Sequence, residues 1–120
     1  MPKKRPDNPQ LIGLISFLKK ASRDNDARIW GSIADSLDKA RSRRISVNLS
    51  RINRYTQKGQ VVAVPGKVLG AGRLQNPLTV AAFAFSAKAE KKIKESRGKC
   101  LTFQELVAEN PKGSNVRIVG

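Results

Sequence analysis

The residues of this chain best equipped for chemistry are those that hold anions. Arginine fills three of four positions in Arg41-Ser42-Arg43-Arg44. Its planar donor fork suits bidentate contact with phosphate oxygens and stacking on bases. Further on, Pro65-Gly66-Lys67-Val68-Leu69-Gly70-Ala71-Gly72 sets a lysine point charge among glycines, which let a polyanion approach the backbone closely. This is not a nucleotide P-loop, because Lys67 precedes the glycine cluster and no Gly-Lys-Ser/Thr opens a helix. The same glycines also fit two tight turns flanking a short strand. Arg51, Arg54 and Lys58 recur at i, i+3 and i+7 and so share one helical stripe. Tyr55 falls at the helical spacing of Leu49 and Ile52 and belongs with the core; its alternative use is to stack on a base.

The usual tools of catalysis are missing. The chain has no histidine, the commonest general base and transition-metal ligand. A single cysteine, Cys100, allows neither an internal disulfide nor a multi-cysteine zinc site. With no histidine to activate it, Cys100 reads as a small buried apolar group. Glu90 and Glu95 lie among Lys88, Lys91, Lys92, Lys94 and Arg97 and read as helix-surface ion pairs, not as a catalytic or metal-binding pair. The expectation is a binding protein without cofactor, metal or small-molecule substrate, and not an enzyme.

The elements that position these residues follow from periodicity. Residues 1–7 form a basic tail, with Lys3, Lys4 and Arg5 but no apolar anchor, and are expected to be disordered when free. Residues 8–120 then make a single domain. Asn8 caps and Pro9 opens a helix whose Leu11, Leu14, Ile15 and Leu18 face a core until about Arg23. A second helix, about 27–39, carries Trp30, Ile33, Ala34 and Leu37 on one face. Residues 40–44 read as a basic loop. Val47-Asn48 leads into a third helix ended by Gly59. Val61–Val64 reads as a strand ended by Pro65-Gly66, with Lys67–Leu69 a second short one, and Leu78–Phe85 as a strand covered on both sides. Ser86 opens a charged helix, about 87–97, terminated by Gly98. Thr102-Phe103-Gln104-Glu105 is a capping box starting a short helix, and Val116–Val119 is a last strand. Helices first and strands alternating with helices afterwards argue an α/β domain with a helical N-terminal part.

Charge narrows the partner. Against 24 Lys and Arg stand 9 Asp and Glu, a formal charge of +15 on 120 residues. Leu, Ile, Val and Phe still supply 31 of those residues, more than the roughly one-fifth below which disorder is the default. No acid occurs between Asp38 and Glu90, a stretch with ten cations: Lys39, Arg41, Arg43, Arg44, Arg51, Arg54, Lys58, Lys67, Arg73 and Lys88. A solvated surface interleaves signs; one sign over 51 residues marks a polyphosphate-binding surface. A membrane is excluded as partner, since the longest apolar runs fall far short of the roughly 20 residues a spanning helix needs. The apolar N-terminal segment ends in Lys19-Lys20 where a cleavage site should be, so no secretory signal is read and the cytoplasm is expected.

As a set, four segments resemble one family: Arg41–Arg44, Val47-Asn48-Leu49-Ser50-Arg51-Ile52, Val64–Gly70, and Thr79-Val80-Ala81-Ala82-Phe83-Ala84-Phe85-Ser86. They resemble the archaeal large-subunit ribosomal proteins of the eighteen-e family, related to bacterial ribosomal protein L-fifteen, and the likeness runs from Asn8 to Val119. It implies an α/β fold with irregular β-β-α turns, a structural place in the large ribosomal subunit, and large-subunit rRNA and neighbouring ribosomal proteins as partners. It also makes the Arg41–Arg44 loop and the Pro65–Gly70 segment rRNA contacts. Charge and position add Lys3, Lys4, Arg5, Arg51, Arg54, Lys58 and Arg73 to these. Two alternatives remain: a free basic nucleic-acid-binding protein, which shares the electrostatics, and a small enzyme acting on RNA or nucleotides through Lys67 and the nearby glycines.

Overall fold

The computed structural model describes residues 9–38, 45–57 and 59–120. The apolar stripe Leu11-Leu14-Ile15-Leu18 folds as helix α1 (Pro9–Asp24), and Trp30-Ile33-Ala34-Leu37 as α2 (Arg28–Asp38). The chain reverses between them without glycine. Asp26 takes a left-handed φ of 50°, and Ala27 N–H donates to Ser22 O at 3.0 Å, the Schellman closure of a helix end. Next come β1 (Ile45–Asn48), α3 (Leu49–Tyr55), β2 (Val61–Leu69), β3 (Thr79–Phe85), α4 (Ala87–Glu95), β4 (Lys99–Leu101), α5 (Phe103–Glu109) and β5 (Val116–Ile118). The α/β class and the helical N-terminal part are as the sequence predicts.

Strands lie in the order β1-β2-β3-β4, with β5 also on β2, and every pairing is parallel. A parallel sheet is stable when both faces are covered, and alternation along β2 and β3 achieves that. Ala63 and Ala81 pack with α1, α2 and α5. Val62, Val64, Val80 and Ala82 pack with Leu49 and Ile52 of α3 and with Ala89 and Ile93 of α4. The side with three helices thus receives Ala63 and Ala81, and the side with two receives Val62, Val64, Val80 and Ala82.

Pro65-Gly66 does not end a strand: β2 runs through it. Residues 61–63 of β2 pair with β5, and residues 66–69 with β1. On the other side, the register with β3 shifts between Val64 and Lys67. The dipeptide sits where the neighbours change, so the N–H that proline lacks is not required there. Gly66 meets β1 so closely that a Cβ would collide with the Ile45 carbonyl oxygen.

Three further expectations change. Helix α3 stops at Tyr55, with Thr56 extended (φ −130°, ψ 161°), short of the expected stop at Gly59; Lys58 lies outside the described residues. Strand β4 has no counterpart in the sequence reading; Lys99 N–H donates to Leu78 O at 2.9 Å and starts it. Helix α4 ends through Arg97 at φ 69°, not through a left-handed glycine. Gly98 N–H then donates to Ile93 O at 2.9 Å, and Gly98 is small because a Cβ would strike Leu78 O. The Ser86 cap and the Thr102–Glu105 capping box form as predicted, with Thr102 N–H donating to Glu105 Oε1 at 2.8 Å and Glu105 N–H to Thr102 Oγ1 at 3.1 Å.

Candidate nucleic-acid interface

Of the expected anion-holding residues, four lie in the described structure. Arg51 and Arg54 project from α3, Lys67 from the second half of β2 and Arg73 from the β2–β3 connection; all four are exposed. Lys3, Lys4, Arg5, Arg41, Arg43, Arg44 and Lys58 lie outside the described residues. Among the described residues, ion pairs are Lys19–Asp38 (3.9 Å), Lys20–Asp24 (2.7 Å) and Lys94–Glu90 (3.4 Å). Arg54, Lys67 and Arg73 take part in none of them. Among the described residues, none of these three cations is paired with a carboxylate. Glu90 makes the surface pair expected of it.

The glycine segment after Lys67 has a packing role. A Cβ at Gly70 would lie 2.7 Å from Lys88 Cγ, and one at Gly72 (φ +89°) 2.6 Å from Ser50 Cβ. Lys92 Nζ donates to the carbonyls of Gly70 (2.8 Å) and Gly72 (2.7 Å). Ser50 N–H donates to Ala71 O at 3.1 Å, and Ala71 N–H to Asn48 Oδ1 at 3.2 Å. The loop is thereby tied to α3 and α4. Of the two uses the glycines allow, close packing within the fold is the one these contacts account for.

Tyr55 is a correction. The spacing with Leu49 and Ile52 predicts a core residue, but Tyr55 is 42% exposed. It closes the last turn of α3, where the helix has already left the sheet. The Arg51 guanidinium lies 5.3 Å from its centroid, within cation–π range, and Arg51 Nη2 donates to Gly120 O at 3.3 Å. These two residues share a groove of about 290 Å³ with Arg117, Ile118, Val119 and Gly120. Arg117, which the sequence reading leaves out, reaches the groove only because β5 returns to β2 beside α3. A second groove, of about 410 Å³ between α1, α5 and β3, is lined by uncharged residues only, among them Pro9, Gln10, Phe83 and Phe103.

Cys100 is half-buried against the valine-side core. Burial pushes its thiol above the ordinary value, Glu90 adds to the rise, and Lys94 opposes it. Among the described residues there is no cluster of acids and cysteine able to hold a metal ion, and no helix is long and apolar enough to cross a membrane.

Fold and surface together define a parallel α/β domain, covered on both faces, that exposes Arg51, Arg54, Lys67 and Arg73. Comparison with known proteins takes this further. The chain matches the family described as ribosomal protein 60S L18 and 50S L18e over residues 2–120. It is 49% identical over 112 residues to the large ribosomal subunit protein eL18 of Methanoregula boonei, covering 93% of both chains. The eL18 protein of Methanococcus maripaludis is 50% identical over the same length and coverage. That of Archaeoglobus fulgidus is 45% identical over 115 residues, 96% of this chain and 98% of the relative. The chain belongs to this L18/L18e family of ribosomal proteins, and so to a structural and non-enzymatic class.

Proposed function

We propose that the chain is a structural constituent of the large ribosomal subunit, housed in cytoplasmic ribosomes, and that it binds and stabilises large-subunit rRNA through the cations of its acid-free stretch. The observation that carries this reading is near full-length membership of a family whose relatives are named for that subunit. The exposure of Arg51, Arg54, Lys67 and Arg73 supports the choice of surface. Each phosphate neutralised releases condensed counterions, so affinity comes chiefly from salt-dependent entropy. Lys67 is carried by β2 and Arg73 follows the Gly70–Gly72 loop that is tied to α3 and α4. Arg41, Arg43, Arg44, Lys3, Lys4 and Arg5, which lie outside the described residues, are included in the proposal as further rRNA contacts, and neighbouring ribosomal proteins complete the partner set.

The test is filter binding of the purified chain to large-subunit rRNA over a salt series. Arg54→Ala, Lys67→Ala and Arg73→Ala combined are expected to lower affinity at 0.1 M salt. They should also flatten the slope of log K against log salt by roughly 2–3, at about 0.7–0.9 per phosphate contact. An unchanged slope removes these three from the interface. In cell lysate the chain should sediment with the large subunit and resist a moderate salt wash; a chain that stays at the top of the gradient or follows DNA overturns the ribosomal placement.

A further inference from the structure

We infer that the groove between α3 and β5 receives one unpaired RNA base, stacked at Tyr55, with its phosphate held between Arg51 and Arg117. The inference rests on the RNA-binding reading above and assigns it a stacking subsite.

Three features on this face converge. Tyr55 is the chain's only tyrosine and is 42% exposed although its neighbours Leu49 and Ile52 are wholly buried. An exposed aromatic beside buried helical neighbours gives up burial unless something else covers it. Arg51, bonded to Gly120 O, lies 5.3 Å from the ring centroid, and a guanidinium beside a tyrosine ring is a platform on which a base can stack. Arg117 enters the same groove from β5, and Ile118, 39% exposed, supplies an apolar wall.

The size of the groove decides which form of RNA fits. About 290 Å³ lies at the small end of ligand pockets, roughly 300 Å³, a size suited to one base. Paired RNA offers phosphates and a shallow groove, whereas unpaired bases can be splayed out and stacked on aromatic and guanidinium planes. Two guanidinium groups beside the ring suit the phosphate that accompanies a splayed base. No acidic side chain lines the groove.

The experiment compares two RNA hairpins of equal length, one fully paired and one with a single bulged purine, titrated into the intact chain at 0.1 M salt. Wild type is expected to prefer the bulged hairpin by roughly 5- to 150-fold, the range for one stacked base. Tyr55→Leu should erase the preference and Tyr55→Phe should keep it. Arg117→Gln should weaken the bulged complex more than the paired one. The Tyr55 ring protons should shift upfield on binding, from the ring current of the stacked base. Equal binding of both hairpins by wild type, or a Tyr55→Leu chain that keeps the preference, overturns the stacking subsite while leaving the phosphate-binding surface intact. Failure of wild type to bind either hairpin even at 50 mM salt, or to bind large-subunit rRNA, overturns both readings.

Discussion

Trp30 shows how a single side chain couples distant parts of this fold. It is wholly buried, and its indole N–H donates to Pro111 O at 2.8 Å, 81 residues away. The turn after α5 is thereby pinned against α2, and Lys112 Nζ adds a bond to Asn25 O at 3.0 Å. Cys100 illustrates the opposite case, a reactive type whose surroundings disfavour its thiolate. Burial, then the Glu90 carboxylate, favours the neutral thiol over the thiolate, against the smaller pull of Lys94. The nucleophile is the thiolate, so alkylation by iodoacetamide at pH 8 should run several-fold slower than for an unfolded control. Parity with that control would show the thiol to be unshielded. The raised value also fixes a sign. Below the ordinary pKa of 9.0 both folded and unfolded thiols are protonated and the contribution to stability is fully present. As pH rises beyond that value the unfolded chain ionises first, and the contribution is progressively lost.

At the scale of elements, β2 is the organiser. Its two halves have different neighbours, and Gly66 marks the change by lying against the Ile45 carbonyl. Gly66→Ala places a methyl group on a backbone atom that cannot swing away; the expected cost is about 2–3 kcal/mol, read as a lower urea midpoint with unchanged m-value. A neutral substitution would mean that β1 can lift away from the sheet. This junction was the part of the fold least legible in sequence. Pro65-Gly66 is a strong local turn signal, and only the tertiary exchange of β5 for β1 turns it into strand. Helices α1, α2 and α5 were legible because Leu11-Leu14-Ile15-Leu18, Trp30-Ile33-Leu37 and the Thr102–Glu105 box are local patterns with local causes. Strand β4 was not, since three residues carry no period and its existence depends on the β3 edge. The candidate site divides along the same line. The exposure of Arg51, Arg54, Lys67 and Arg73 follows from a charge pattern visible along the chain. The meeting of Tyr55 with Arg117 depends on the parallel register of β2 with β5, which no short-range signal encodes.

At the scale of the whole molecule, a formal charge of +15 works against its own compactness through self-repulsion. Any polyanion that binds the folded form better than the unfolded one relieves this and adds stability by mass action. Saturating short RNA duplex should therefore raise the melting temperature by several degrees in 50 mM salt, and the gain should shrink at 0.5 M salt as screening takes over. A gain independent of salt would argue against charge as its source. The way β2 shares its edge also governs how the sheet is assembled. Residues 61–63 wait for a partner more than fifty positions further along the chain, and contacts of such high sequence separation form late. Until β5 docks, the uncharged, β-branched edge Val61-Val62-Ala63-Val64 is an open template for a second chain. Self-association is thus a hazard of the incompletely folded state, and the final short strand acts as the cap that ends it.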